Sequence, residues 1–555
     1  MGKQRVADRL PLAVAGVLAV GLPVAFLTVF FLAPTANLVG RGFFAGDGSL
    51  DLSGFVEILG RPRTWRVVWQ TLWMAGVATF FSVALSVPAA WILYRTKFAG
   101  RALLRGIVAV PFVLPSVVVG VAFRSLFVEG GPLGSWGLDG THTAIIIGMV
   151  FFNYSIGVRT IGNMWVRLDP RTEEAAAALG ASPARVFFTV TLPRLMPAFA
   201  SAAAVIFLFC ATSFGLVLIL GGVRTQTVET EIYFLTTALL DLRSASVLSV
   251  VQLAVIALAL WLGSLARGAG ASTQKMRTDL APRPLRRADL PALAGTLIPV
   301  AVLLIAPMLA LLWRSLHRSG QFTLANYADL FNPGATRFLQ TSVMRSALSS
   351  IEIAVIATIT AAVIGTLVAV VITRRPKSRV GRGSLRVLDT LFMLPLGVSA
   401  VTVGFGFLIT LNRPPLDLRG SFWLIPMAQA MVAIPIVVRV MMPVLASIDP
   451  RQREVATVLG ASPLRTIFTV EAPYALRSLA IGAAFAFSMS LGEFGATSFL
   501  ARPANPTLPV AIYRLISTPG SVEQGMALAA SVVLAALAGS VMAFVEARAD
   551  TAWKD

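Results

Sequence analysis

Long apolar runs separated by short polar segments dominate the chain. A bilayer crossing takes about 20 predominantly apolar residues. By that measure the pattern predicts twelve spans, six centred near Val20, Ala84, Val117, Gly148, Phe209 and Ile256 and six near Leu303, Ala362, Ser399, Met431, Met489 and Leu534. The expected fold is all-α and polytopic, with two parallel six-helix repeats, residues 1–270 and 291–555, joined by a polar linker at 271–290. The polar segments are also uneven in charge. Arg95, Lys97, Arg101 and Arg105 follow the second span, and Arg374, Arg375, Lys377, Arg379 and Arg382 occupy the matching place in the second half. The loops after the fourth and tenth spans carry Arg167, Arg171, Arg185 and Arg194, then Arg451, Arg453, Arg465 and Arg477. Twelve crossings put all these segments and the basic linker on one side, which the positive-inside rule makes cytoplasmic, together with both termini. Arg185, Gln274 and Arg465 are then expected inside, with Gly48 and Gly131 outside.

Composition narrows the class. The chain has 555 residues, 56% hydrophobic and only 13% charged, well below the roughly 25% charged residues of soluble domains. The net charge of +20 would suggest nucleic acid for a soluble protein, but here it sits in loops between apolar runs, so it orients the chain in a bilayer and no nucleic-acid partner is expected. The basic start of the first apolar run is that of a signal peptide, but its length predicts an uncleaved span. Met1-Gly2 fails as a myristoylation signal because Val6 stands where Ser or Thr is needed. The one cysteine, Cys210, and two histidines leave no basis for a disulfide or a zinc site, and no metal site is expected.

A polar cassette occurs twice without a gap: EEAAAALGASPARVFFTVTLPR from Glu173 and REVATVLGASPLRTIFTVEAPY from Arg453, an offset of 280 residues. The same offset relates Pro115 to Pro395, Arg159 to Arg439, Asp169-Pro170 to Asp449-Pro450, Phe214-Gly215 to Phe494-Gly495 and Ile232-Tyr233 to Ile512-Tyr513. Six spans is an even number, so the halves are parallel repeats, with a pathway expected between them. Within each cassette the local chemistry predicts an elbow. Asp169 is expected to cap a helix whose first residue is Pro170, RTEEAAAAL favours helix, Gly180 suits the left-handed residue that ends it, and Ser182-Pro183 starts the next helix. Ala175, Ala176 and Gly180 give the elbow a face of small residues fit for close approach rather than for bond chemistry.

These cassettes, about residues 169–194 and 449–474, resemble the EAA loop of ATP-binding-cassette importer permeases of the binding-protein-dependent type. The resemblance implies that Glu174, Ala175, Gly180, Ser182 and Pro183 in the first copy, and Glu454, Ala456, Gly460, Ser462 and Pro463 in the second, dock into an ATPase subunit. The second copy departs at Val455 and Ala472 while keeping the Glu, the Gly and the turn. Fusion of two such domains is similar to the thiamine and ferric-iron branch, and FFNYSIGVRTI, ATSFGLVLILGG with TVETEIY, and SLGEFGATSFL with TLPVAIY look closest to its thiamine permeases. The resemblance implies two copies of a separate ATPase carrying the ATP and Mg, an extracytoplasmic binding protein, a prokaryotic plasma or inner membrane, and no cofactor on this chain.

No G-x-x-x-x-G-K-[ST] stretch is present, and the Gly-rich fragments at Gly268 and Gly404 lack a strand–turn–helix context. No hydrolytic constellation stands out, so no catalytic residue is expected. Glu493 is the unusual side chain, since an acidic residue at mid-bilayer costs about 2.5–3.5 kcal/mol on insertion scales. It either sits solvated at a span end or faces the cavity and favours a cationic cargo such as thiamine or ferric iron. Ser213, its counterpart, and Thr212, Asn153 and Tyr154 either line the pathway or bind helix to helix. Arg159 and Arg439 are expected to snorkel. An ion-coupled secondary transporter also has six-plus-six repeats, but needs more ionisable groups within its spans; a membrane-embedded enzyme lacks its constellation.

Overall fold

The computed structural model describes residues 9–44, 48–222, 225–268, 282–373, 379–412, 417–418 and 420–552. Gln274, most of the linker, and Arg374, Arg375 and Lys377 lie outside them. Among the described residues the chain is helical apart from two-residue strands. The first half runs α1 (Leu18–Phe43), α2 (Pro62–Arg95), α3 (Arg101–Phe112), α4 (Ser116–Phe127), α5 (His142–Arg167), α6 (Arg171–Ala178), α7 (Pro183–Ala211), α8 (Gly215–Leu220), α9 (Val228–Thr237) and α10 (Leu242–Gly268). The second half runs α11 (Arg287–Ser315), α12 (Val343–Thr373), α13 (Gly383–Pro395), α14 (Ala400–Thr410), α15 (Leu424–Ser447), α16 (Pro450–Val458), α17 (Ala472–Gly492), α18 (Thr497–Leu500), α19 (Leu508–Ile516) and α20 (Ser521–Ala552).

Among the described residues, ten helices are long and apolar enough to cross a membrane. The predicted spans at Val117 and Ser399 are each a bent pair, α3 with α4 at 103° and α13 with α14 at 95°, which brings the total to twelve when each pair counts once. Proline explains the first break. Pro115 disfavours the helical conformation at Leu114 and is itself extended, with φ −58° and ψ 138°. In the second half Ser399 restarts the helix, its hydroxyl accepting from the backbone N–H groups of Val401 (3.1 Å) and Thr402 (3.3 Å).

Among the described residues, four spans carry a wide π turn, and each turn ends just before a proline. Ala33 N–H reaches back to Thr28 O ahead of Pro34, Leu192 to Phe187 ahead of Pro193, and Ala306 to Ala301 ahead of Pro307. The π turn Ile467–Glu471 precedes Pro473 in the same way. A proline ring collides with the carbonyl four residues back; one extra residue in the turn moves that carbonyl aside without breaking the helix.

Two compact units result: residues 53–328 with 515–532, and residues 1–52 with 329–514 and 533–555. In the first unit α2 crosses α5 where Gly157 leaves no room for a side chain, since a Cβ there would lie 2.2 Å from Ser86 Oγ. Ser86 Oγ donates to Tyr154 O at 3.1 Å at this crossing. In the second unit α12 crosses α15 at Gly365, where a Cβ would lie 2.8 Å from Val437. Residues 151–160 and 431–440 share the same succession of buried, half-buried and exposed positions, so the repeat extends to packing. The first spans are exchanged, however. Phe26, Leu27 and Phe31 of α1 join a core with Ala357, Ile364, Phe392, Met431 and Val437, while α11 packs on α2, with Gly295 against Pro88. Asn37 fixes α1 by donating to Thr410 Oγ1 (3.0 Å) and Ile409 O (3.2 Å).

Candidate coupling elbows and pathway residues

Both cassettes fold into the same elbow. Asp169 Oδ1 accepts from Arg171 N (3.1 Å) and Asp449 Oδ1 from Arg451 N (2.9 Å), so each carboxylate caps the helix that its proline opens. The helices end at Gly180 and Gly460, with φ of +83° and +82°. Gly180 N–H donates to Ala177 O and Ala181 N–H to Ala176 O; Gly460 and Ala461 repeat this on Thr457 and Ala456. This is a Schellman termination, which needs a left-handed residue at the glycine position. Ser182 Oγ and Ser462 Oγ then accept from Arg185 N (3.4 Å) and Arg465 N (3.3 Å), starting the helices opened by Pro183 and Pro463.

What anchors each elbow differs between the copies. Glu173 pairs with Arg95 of α2 at 2.9 Å and accepts from Thr191 Oγ1 at 2.9 Å. Arg95 also donates to Leu168 O (3.1 Å) and Trp165 O (3.4 Å), and Arg194 donates to Thr172. At the positions 280 residues on, Arg453 pairs with Glu471 at 2.8 Å. The same two positions are thus joined by a carboxylate on the elbow in one copy and on the returning helix in the other. Comparing cassettes by identity hides this, because neither position repeats its residue; the opposite charges at 453 and 471 were the available signal. Removing one partner of a buried pair costs about 3–5 kcal/mol, and less when the survivor reaches water. Glu471 is 6% exposed and Arg453 33%. Glu471→Ala is therefore expected to lower the melting temperature of the purified protein, and the reversed pair R453E/E471R to recover most of the loss.

Glu174, Ala175, Gly180, Ser182 and Pro183 all lie on the exposed side of the first elbow. Glu454, Gly460 and Ser462 do so on the second, with Ala456 half-buried. Beside them stand apolar side chains that sequence reading passed over: Leu179 is 90% exposed, Val458 86% and Leu459 80%. Behind the second elbow lies a cleft of about 710 Å³ lined by Arg451, Val455, Tyr474 and Arg477.

The pathway candidates divide between the units. In the first, Asn153 and Tyr154 are buried in α5, and the Asn153 amide donates to Met149 O (2.9 Å) and Cys210 Sγ (3.2 Å). That bond ties α5 to α7, the helix-binding alternative for Asn153. Asn153 Oδ1 and the Tyr154 hydroxyl have no partner. Thr212 and Ser213 are half-buried where α7 breaks before α8, and Thr212 Oγ1 donates to Leu208 O at 2.9 Å. In the second unit Glu493 occupies the equivalent break between α17 and α18, also half-buried. Its carboxylate turns onto its own chain, accepting from Ala496 N (2.7 Å), Thr497 N (3.0 Å) and the Thr497 hydroxyl. Glu493 thus caps α18, whose N-terminal N–H groups favour an anion. Gln429 extends the network, donating to Thr497 Oγ1 (3.2 Å) and accepting from Ser490. Arg159 lies over the Phe112 ring (5.9 Å) and Arg439 donates to Met393 Sδ (3.4 Å), so each rests on the bent pair of its half while its own position stays exposed. No group of three or more metal-ligating side chains occurs among the described residues.

Comparison with known proteins places this architecture. Residues 82–269 and 361–549 each match the family described as binding-protein-dependent transport system inner membrane component. A probable ABC transporter permease of Sinorhizobium fredii is 25% identical over 87% of this chain and 87% of its own length. The thiamine transport system permease protein ThiP of Brucella abortus is 25% identical over 93% of each chain. The sulfate transport system permease protein CysT of Escherichia coli is 32% identical over 37% of this chain and 74% of its own. The two matches cover more than half of the sequence and fall one in each half, so this chain belongs to the binding-protein-dependent inner membrane transport components, with two of the family's domains in one polypeptide.

Proposed function

We propose that this chain forms the substrate pathway of an ATP-driven importer and couples it, through both elbows, to two copies of a separate ATPase. The observation that carries the reading is the pair of exposed elbows, alike in caps, glycine conformation and bare apolar side chains. ATP and Mg belong to the ATPase, and this chain binds no cofactor and does no bond chemistry. ATP binding closes the ATPase dimer and draws the elbows together, opening the pathway to an extracytoplasmic binding protein; hydrolysis resets it. The sites we assign to coupling are Glu174, Ala175, Gly180, Ser182 and Pro183 with Glu454, Ala456, Gly460, Ser462 and Pro463. Leu179 and Leu459 join them.

This reading places both termini and both elbows in the cytoplasm. Single cysteines test it, in a Cys210→Ser background. Cysteine at Arg185 or Arg465 is expected to react with an impermeant thiol reagent only from inside, and cysteine at Gly48 or Glu129 only from outside. Glu129 replaces Gly131 because a Cβ at Gly131 would lie 2.7 Å from two backbone carbonyl oxygens. Reaction of Arg185→Cys or Arg465→Cys from outside contradicts the orientation.

For cargo we infer a thiamine-like cation. Support comes from the stretches around Asn153, Ser213 and Glu493 and from the full-length similarity to proteins named as thiamine permeases. Glu493 adds less than its charge suggests, because its own backbone already occupies the carboxylate. Uptake assays with thiamine, ferric iron and sulfate, each with its binding protein, test the inference. Thiamine uptake alone supports it, and uptake of either inorganic ion alone overturns it.

A further inference from the structure

The end of the linker is not a passive tether. Arg283 and Pro284 pair as a parallel strand with Thr96 and Lys97, directly after α2, and Leu285 N–H donates to Lys97 O at 3.3 Å. Asp289, 4% exposed, gathers the turn that follows: its carboxylate accepts from both Arg283 nitrogens (2.7 and 2.9 Å), from Arg286 N (2.9 Å) and from Trp91 Nε1 (3.1 Å). The Arg283 guanidinium lies over the Trp91 ring at 5.3 Å, and the Arg95 guanidinium lies over the same ring at 5.7 Å. Arg95 is the group that pairs with Glu173 of the first elbow. A second line of contact runs from Trp91 to Trp165 (5.2 Å) and on to Phe187 of the π turn behind that elbow (6.0 Å).

We propose that the Arg283–Asp289 clamp positions the first coupling elbow through Trp91 and Arg95, and that Arg283 and Trp91 are positioning residues for coupling at that elbow. Every link is a short polar bond or a cation–ring contact, both of which are strengthened where water is scarce. Among the described residues no equivalent clamp is present at the second elbow. Trp91 corresponds by the 280-residue offset to Val371, which offers no ring to a guanidinium. The anchor described there is the Arg453–Glu471 pair within the cassette itself. The two elbows thus look alike at their docking surfaces and differ in the ion pairs that anchor them.

The test uses the full-length chain, purified without any ATPase, with a nitroxide on a cysteine at Arg185 or at Arg465. In Arg283→Gln the mobile fraction of the spectrum is expected to rise at least twofold at position 185 and to stay unchanged at 465. Arg283→Lys, which keeps a cation for Asp289 without the planar guanidinium, should fall between the two. Trp91→Leu leaves the Arg283–Asp289 bonds in place and removes the ring that both guanidinia share; it should loosen 185 as Arg283→Gln does, so the proposal does not hang on one variant. Equal loosening at both positions, or none at 185, overturns it. Since a role in coupling rests on the function proposed above, vesicles with the ATPase form a second arm. Arg283→Gln should raise the ATP hydrolysed per substrate imported at least threefold. A selective change at 185 with a wild-type ratio would leave the clamp standing and remove the elbow's role in coupling.

Discussion

Reversing the charge on both elbows, E174R together with E454R, is expected to abolish uptake while leaving insertion intact. Both side chains are exposed and hold no bond that the fold needs, so the change falls on whatever docks there. A like-charge contact across an interface costs several kcal/mol, and each ~1.4 kcal/mol is about tenfold, so uptake should fall by roughly a hundredfold or more. The single reversals should each fall short of the double, because the elbows lie in different compact units and their costs add. Uptake by inverted and right-side-out vesicles, with the amount of inserted protein measured alongside, decides the matter. Undiminished uptake in the double variant would remove the elbows from the mechanism.

The second large effect is conformational. Gly180 and Gly460 sit at φ of +83° and +82°, and nothing lies within 4 Å of a Cβ built on either. Space is therefore no obstacle to a side chain; backbone strain is. A non-glycine residue in the left-handed region costs about 1–2 kcal/mol and a β-branched one more, whereas asparagine is tolerated there. G180V with G460V should unseat both Schellman turns and lower uptake by about tenfold or more, at the rate of about 1.4 kcal/mol per decade. G180N with G460N should retain most of it. Equal loss in the valine and asparagine pairs would mean that the glycines serve close approach to a partner rather than the turn.

The parts of this molecule that were legible in its sequence are those set by local chemistry and by repetition. Caps at Asp169 and Asp449, the left-handed glycines, and the serine-proline restarts follow from residue type and spacing, and repetition removed the ambiguity that one copy would have left. Span positions followed from hydropathy, with the bends near Pro115 and Pro395 as the main difference. The π turns were legible in principle, as each stands before a proline inside an apolar run, yet hydropathy does not register them. Exchange of the first spans between units was not legible, because α1 and α11 are apolar on most faces and their pattern names no partner. The anchors at 173/191 and 453/471 were hidden because the pairing is conserved as a contact while its charges are rearranged. Glu493 illustrates a further limit: an acidic residue in an apolar stretch signals a cost, but whether backbone, water or cargo meets that cost depends on where the helix breaks.

The most direct measurement of the central claim is substrate uptake by proteoliposomes holding this chain, its ATPase and the loaded binding protein, with ionophores collapsing every proton and sodium gradient. ATP on the ATPase side should then be sufficient, and uptake should stop when ATP is replaced by a non-hydrolysable analogue. Uptake that persists without ATP and disappears with the gradient would contradict the account, and would make this chain an ion-coupled carrier built on the same repeated fold.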